Sequence, residues 1–340
     1  MAARQEAARV TTITDVARAA RVSPATVSRT LNGTGAVSPE RARRVRAAAA
    51  RLGYLPSGPA RALRRQRNQV WAAIIADIEN AFFTSVVRGI EDVARLEDHR
   101  LVLCNSDEDV ATEASYIDIV VAERMAGVVI SVASTTESSL VPLLGRHIPV
   151  VAVDRRPRDV PVDSVVVDNR LGADDATTHL VRSGATRVAC ITGPVRVDTA
   201  TERMQGYRDA LSRLGRPRDR ALVRRADFKE DGGYVATRAL LESDDPPDAL
   251  FVANHPMTVG ALRAVRDLGL QVGRDVTIAG FDDSPLATLV HPQLTVVTQP
   301  AYELGRVAAE LLATAAEPRP PRHVVLPPTL VVRESSLRRS

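Results

Sequence analysis

With 340 residues, 45% of them apolar, and a formal charge of +4, the chain has room for two or three domains of ordinary globular composition. No apolar run reaches the roughly 18 residues that a membrane span needs, and residues 1–10 are polar and arginine-bearing rather than signal-like, so a cytoplasmic protein is expected. The charge is divided: residues 1–69 carry 14 arginines against Glu6, Asp15 and Glu40, a surplus of +11, and residues 70–340 carry 31 basic and 38 acidic groups, or −7.

A basic head on an acidic body is what results when one end alone meets a polyanion, although a solvated charged face gives the same count. Arginine abundance carries little weight by itself, because Lys229 is the single lysine beside 44 arginines. Cys104 and Cys190 lie in apolar stretches and read as buried, reduced thiols.

Residues 1–10 are expected to be a disordered extension. Thr12 and Asp15 have capping-box spacing for a helix over 13–20, with Val16, Ala17 and Ala20 on one face. Arg21 and Val22 turn the chain. Ser23 is a second N-cap and Pro24 an N1 proline, opening a helix to about Leu31. Val27 and Leu31 face inward, which leaves Ala25, Ser28 and Arg29 outside. Asn32-Gly33 stops that helix, and Ser38-Pro39-Glu40 opens a third over 39–52, closed by Gly53. Two short helices across a turn, followed by a third, make the frame of a helix-turn-helix domain over 11–57, though any small three-helix core would carry the same caps.

Residues 58–68 are strongly basic with one large apolar side chain, Leu63, and Gly58 and Pro59 stand at their start. By composition they read as a flexible, arginine-rich linker.

From Val70 the pattern alternates. Apolar, β-branched runs at 70–76, 101–104, 128–131 and 150–153 are separated by amphipathic stretches such as 86–96 and 115–123. After 165–167 the alternation resumes with strands at 187–191, 250–253 and 276–280. Repeated strand–helix units predict two doubly wound parallel sheets, whose ligands bind beyond the carboxyl ends of the strands. Polar residues stand there: Asp77, Asp154 with Arg155, Asn254, and Asp282. Each type also serves as a helix cap or turn residue. The six histidines have no metal-ligand spacing, and there is no phosphate-binding or dinucleotide glycine fingerprint. No enzyme, cofactor or metal is therefore expected.

The string Thr12-Ile-Thr-Asp-Val-Ala-Arg-Ala-Ala-Arg-Val-Ser-Pro-Ala-Thr-Val-Ser-Arg-Thr-Leu-Asn-Gly33, continued by Val37-Ser-Pro-Glu40 and Leu52-Gly-Tyr54, closely resembles the head of LacI/GalR transcriptional regulators. The body resembles a periplasmic-binding-protein fold through Asp77-Ile-Glu-Asn-Ala-Phe-Phe83, Arg88-Gly89-Ile90, residues 101–109, Gly280-Phe-Asp-Asp283, Thr295-Val-Val-Thr-Gln-Pro300 and Leu330-Val-Val-Arg-Glu-Ser335. The resemblance implies an all-α helix-turn-helix head on an α/β body of two subdomains, about 69–166 with 299–325 and about 167–298 with 326–340. It also implies a homodimeric repressor that binds a pseudo-palindromic double-stranded operator under the control of a small-molecule effector.

Position by position, the resemblance makes Pro24, Ala25 and Arg29 the base-reading residues. Thr12, Ser23, Thr26, Ser28 and Asn32 become phosphate contacts. In the segment 58–68 it implies a hinge helix formed on DNA, with Leu63 wedged into the central minor-groove step and Ala60 and Arg64 against the groove. In the body it implies that Phe82, Phe83 and Phe228 stack on the effector. Asp154, Arg155, Arg203, Asn254, Asp282 and Gln299 would hydrogen-bond its edge, which suits a sugar or nucleoside. Two positions depart from the pattern. Many sugar-responsive relatives carry arginine where this chain has Thr201, and their frequent Asn-Asp pair is Asn254-His255 here, which puts a common pentose or hexose in doubt. The chain ends without leucine heptads, so a dimer is expected rather than a tetramer.

Overall fold

The computed structural model describes residues 11–32, 35–54, 69–158, 160–315 and 319–338. The chain separates into two compact units, divided between Asn68 and Gln69.

In the first unit, α1 (Ile13–Ala20) starts at the predicted capping box. The Thr12 N–H donates to the Asp15 carboxylate at 3.0 Å and the Asp15 N–H to the Thr12 hydroxyl at 3.3 Å. The helix ends at Arg21, whose φ of 53° turns the chain. Ser23 then accepts the Thr26 N–H at 3.2 Å and opens α2 (Pro24–Asn32). The third helix, α3 (Pro39–Arg51), begins with proline at its first position, where the missing N–H costs no helical bond. Val16, Ala17, Ala20, Val27, Val45, Ala48 and Ala49 are buried between the three helices. So many alanines let the helices approach closely around a small core. The Arg44 guanidinium ties α3 to the carbonyl of Ala20 at the end of α1.

The second unit holds two six-stranded sheets. The first runs through β1 (Val70–Ile75), β2 (Arg100–Asn105), β3 (Gly127–Ile130), β4 (Val150–Val153), β5 (Asp163–Val167) and β11 (His323–Leu326), in the order β11-β5-β4-β3-β1-β2 and parallel throughout. The second runs through β6 (Val188–Thr192), β7 (Val223–Arg225), β8 (Ala249–Val252), β9 (Thr277–Phe281), β10 (Thr295–Thr298) and β12 (Thr329–Val331), in the order β12-β10-β9-β8-β6-β7, with β12 antiparallel. Both sheets therefore reverse winding direction beside their first strand, between β1 and β3 and between β6 and β8, which is where doubly wound sheets open a crevice. The chain passes between the subdomains after Val167, after Thr298 and after Leu326.

Period-two burial explains the layers. Along β1, Trp71, Ala73 and Ile75 enter one apolar cluster while Ala72 and Ile74 enter another, so both sheet faces are covered. One cover is the pair α4 (Ala81–Leu96) and α12 (Ala301–Ala313). A methyl at Gly305 would overlap the carbonyl oxygen of Val86, so these helices cross backbone to backbone. The other helices that matter to the cleft are α5 (Val110–Ala122), α7 (Asn169–Arg182), α8 (Asp198–Arg213), α9 (Glu230–Leu241) and α10 (His255–Asp267). Asn80, Asp109, Asp168 and Asn254 cap α4, α5, α7 and α10 through their side chains. The caps start α4 and α5 five residues earlier than the apolar periodicity of 86–96 and 115–123 suggests. No helix of the described residues is long and apolar enough to cross a membrane.

Candidate functional site

Helix α2 presents one open face. Ser23, Pro24, Ala25 and Arg29 are exposed, Thr26 and Ser28 are half-buried, and Val27 is fully buried on the opposite side. The Arg29 side chain folds back with its Nε 3.4 Å from the Ala25 carbonyl, at the margin of a hydrogen bond, so the guanidinium is available to a partner. Thr12 is exposed beside the first helix. A helix N-terminus bearing hydroxyls and one arginine can hold phosphates and reach base edges. Gly33, Ala60, Leu63 and Arg64, together with the extension over 1–10, lie outside the described residues, so the predicted hinge wedge has no counterpart here.

In the second unit, strand ends converge on a cleft lined by Asp77, Asn80, Phe82, Phe83, Glu108, Asp154, Arg155, Thr199, Arg203, Phe228, Asn254, Asp282 and Gln299. Nine of the ten effector residues expected from sequence are among them. Thr201 is not. Arg203 is buried in the cleft wall, and two residues back along a helix is about 200° around the axis, so Thr201 faces away. Thr199, one turn before Arg203, takes the inward place.

The cleft is built by unusual backbone. Asp107, Glu108, Asp154, Phe228 and Asp282 all have φ between 52° and 74°. Each follows the carboxyl end of a strand, and each pays for the left-handed conformation by aiming its side chain where extended backbone would not. The Phe228 ring lies flat on Gly193, where a methyl would overlap it.

The polar groups form a paired network. Glu108 receives Arg155 through both terminal nitrogens at 2.7 and 2.6 Å, and the same guanidinium donates to the Val132 carbonyl at 3.1 Å. Burial works against the Arg155 charge, but the Glu108 carboxylate outweighs it and raises the guanidinium's pKa. Glu113, buried on α5, accepts the Ala133 N–H at 2.7 Å and so fixes the loop that carries Val132. Burial raises its pKa. Arg203 donates to Asn169 at 2.7 Å and to the Ala253 carbonyl at 2.5 Å, with its guanidinium 3.7 Å from the centre of the Phe281 ring. Burial lowers the pKa of Arg203 and raises that of Asp154. Gln299 donates to Asp282, whose second oxygen faces the His255 N–H at 3.4 Å. Asn254 is committed to structure: its oxygen caps α10 at Met257 and its amide holds the Phe228 carbonyl at 2.8 Å. His255, the first residue of α10, does not line the cleft.

A cavity of about 20 Å³ remains between these side chains, room for about one water. Two buried polar atoms on its wall have no hydrogen-bond partner: the Arg155 Nε, 3.3 Å from the Asp154 carboxylate but poorly aligned with it, and the Gln299 Oε1. Such orphans are costly unless something else pairs with them. Sequence reasoning missed Glu108, Asn80 and Thr199. Asn80 announced itself as a helix cap, and Glu108 stood in the acidic stretch Asp107-Glu-Asp109 with nothing local to show that it points inward.

Residues 12–57 match the model for bacterial regulatory proteins of the lacI family, and residues 177–336 match the periplasmic binding protein-like domain. Over 330 residues the chain is 36% identical to the ribose operon repressor of Halalkalibacterium halodurans, covering 96% of this chain and 97% of that one. Over 302 residues it is 35% identical to catabolite control protein A of Priestia megaterium, covering 88% and 91%. The structure of the transcriptional regulator CelR in complex with cellobiose aligns with a TM-score of 0.73 and 32% identity, over 96% of this chain and 99% of that one. The lac repressor dimer bound to operator and the anti-inducer ONPF aligns with a TM-score of 0.79 and 25% identity, over 97% and 100%. A helix-turn-helix in one chain with a periplasmic-binding-protein-like body defines a DNA-binding transcriptional regulator, not an enzyme. The chain belongs to the LacI family of bacterial regulatory proteins.

Proposed function

We propose that the protein is a cytoplasmic repressor that binds a pseudo-palindromic operator as a homodimer and is controlled by a small, uncharged, hydroxyl-rich effector in the cleft. The observation that carries this reading is the open face of α2, with Ser23, Pro24, Ala25 and Arg29 exposed together in a chain of this family. Arg29 is the side chain there able to bridge two acceptors on guanine; Pro24 and Ala25 would add shape and thymine-methyl contact. A two-fold dimer would place two such helices on successive major-groove half-sites. Exposed Val102, Leu103, Val235 and Leu289 offer apolar surface to a second copy. Paired Leu63 side chains would wedge at the centre.

The cleft supports the effector class by charge. Its lining carries four carboxylates, Asp77, Glu108, Asp154 and Asp282, against the guanidiniums of Arg155 and Arg203. A phosphate or carboxylate ligand would meet net repulsion. Hydroxyls can donate to the carboxylates and to Gln299 Oε1 while an apolar ring face rests on Phe228. The cellobiose in the CelR structure is a ligand of this chemistry. Effector binding would change how two copies meet and so order or separate the hinges. If it weakens DNA binding, DNA must weaken effector binding by the same factor.

The test is selection of bound duplexes from a random pool by the purified protein at near-physiological salt, because phosphate contacts make affinity salt-dependent. A recovered palindrome supports the dimeric reader. Binding without sequence preference would mean that the head coats DNA without reading it. Calorimetry with neutral sugars and nucleosides beside their phosphates tests the effector class, and a preference for the phosphates would overturn it.

A further inference from the structure

The chain's single lysine spans the cleft. The Lys229 ammonium donates to Asp77 Oδ2 at 2.9 Å and to Asp107 Oδ1 at 2.6 Å. The two carboxylates follow β1 and β2 of the first subdomain, whereas Lys229 immediately precedes α9 of the second. All three anchors are held locally. Asp77 is buried and also accepts the Glu79 N–H at 3.0 Å. Asp107 has φ 52°, and Phe228, beside Lys229, has φ 67° with its carbonyl fixed by Asn254. These ion pairs therefore break most readily when the two subdomains move apart.

Other bonds also cross. Arg158 meets Asp198 at 2.7 Å, and Arg196 meets the Glu108 carbonyl at 3.2 Å. The Arg158 side chain is 59% exposed, however, whereas Lys229 is 31% and Asp77 7% exposed. The lysine is thus the ionic crossing least weakened by solvent. Arg155 and Arg203 pair inside their own subdomains. An ammonium is also the cation suited to two converging carboxylates from separate loops, since a planar guanidinium fork favours one carboxylate held edge-on.

We propose that Lys229 is an electrostatic latch that holds the two subdomains closed, so that admission of an effector requires both of its ion pairs to part. The cavity of about 20 Å³ left in the closed cleft is far below the few hundred Å³ that a sugar-sized ligand fills, so opening must precede binding. The latch rests on the reading of this cleft as the effector site.

Because the chain has one lysine, its acylation rate reads the latch directly. Full-length protein is treated with sulfo-NHS-acetate at pH 8 and the Lys229 peptide is followed by mass spectrometry, separately from the N-terminal amine. The expected rate is about tenfold or more below that of the same lysine in urea-unfolded protein, because ion pairing withholds the neutral amine. Asp77→Asn/Asp107→Asn should restore most of that rate. In Lys229→Met, hydrogen exchange should quicken in residues 77–83 and 226–232 and stay unchanged in β8. Acylation of the native protein at the unfolded rate, or exchange in Lys229→Met equal to wild type at both segments, overturns the latch. Neither measurement uses DNA or effector, so a failed latch leaves the operator selection to judge the regulator on its own.

Discussion

Replacing Glu108 with glutamine removes the charge that neutralises Arg155 but keeps its shape. The two side chains are 10% and 4% exposed and joined by two short bonds. Removing one partner of a buried pair costs about 3–5 kcal/mol, because the other charge is left desolvated. Here the loss is offset in part. The glutamine oxygen still accepts one bond, and the Asp154 carboxylate lies 3.3 Å from the Arg155 Nε. A net loss of about 2–3 kcal/mol is therefore expected. At about 2–4 °C per kcal/mol for a domain of this size, the melting temperature of the body should fall by roughly 5–10 °C. Arg155→Met removes the guanidinium instead, and once it is gone Glu108→Gln should cost little. Calorimetric melts of the wild type, both single variants and the double variant form a cycle whose coupling should be about 2 kcal/mol. A coupling below about 0.5 kcal/mol would falsify the claim that this pair works as a buried unit.

Arg29→Ala should lower discrimination between operator and random duplex by about 1–3 kcal/mol per half-site; an equal loss on all sequences, measured by competition binding, would remove Arg29 from base reading. Leu63→Ala should weaken operator binding while circular dichroism shows the head still folded, and unchanged affinity would sink the central wedge. Gly305→Ala forces a methyl into the Val86 carbonyl and should destabilise the body by about 1–3 kcal/mol; a urea midpoint equal to wild type would show that the α4–α12 crossing is loose. Asp248 is opposed by burial, but the Thr186 and Arg187 hydrogen bonds outweigh that and hold its carboxyl below the usual range. Its stabilisation is therefore present above about pH 4 and lost as pH falls through the lowered folded value. Asp248→Asn should flatten the acid limb of the stability curve, and urea melts that keep the wild-type pH slope would refute this.

The strands and the head were legible because their signals are local. Apolar runs at 70–76, 150–153 and 276–280 landed within one residue of β1, β4 and β9, since a strand buried on both faces has no alternative to a continuous apolar run. The capping box at Thr12 and the proline at 24 marked helix starts by chemistry that needs no tertiary partner. β7 escaped notice because Val223–Arg225 is a half-exposed edge of three residues, two of them arginine. The cleft was legible in outline, as polar residues after strands, because the winding rule places it there. Its details were not. Glu108 and Lys229 acquire their meaning from partners 47 and 152 residues away, and Thr201 was misplaced by one helical phase that a family pattern alone does not reveal.

The left-handed residues around the cleft bear on how this protein would respond to selection for heat resistance. Asp154 and Asp282 each hold a conformation that costs an ordinary L-residue roughly 1 kcal/mol or more, and glycine adopts it freely. A screen that rewards melting temperature alone would accordingly accept glycine at these positions, where the backbone relaxes while the carboxylate disappears. Hardened variants of this chain would then be expected to fold well and sense poorly. In a chain of this kind, insensitivity to a metabolite can arise as a by-product of durability, with no change in any residue that meets DNA.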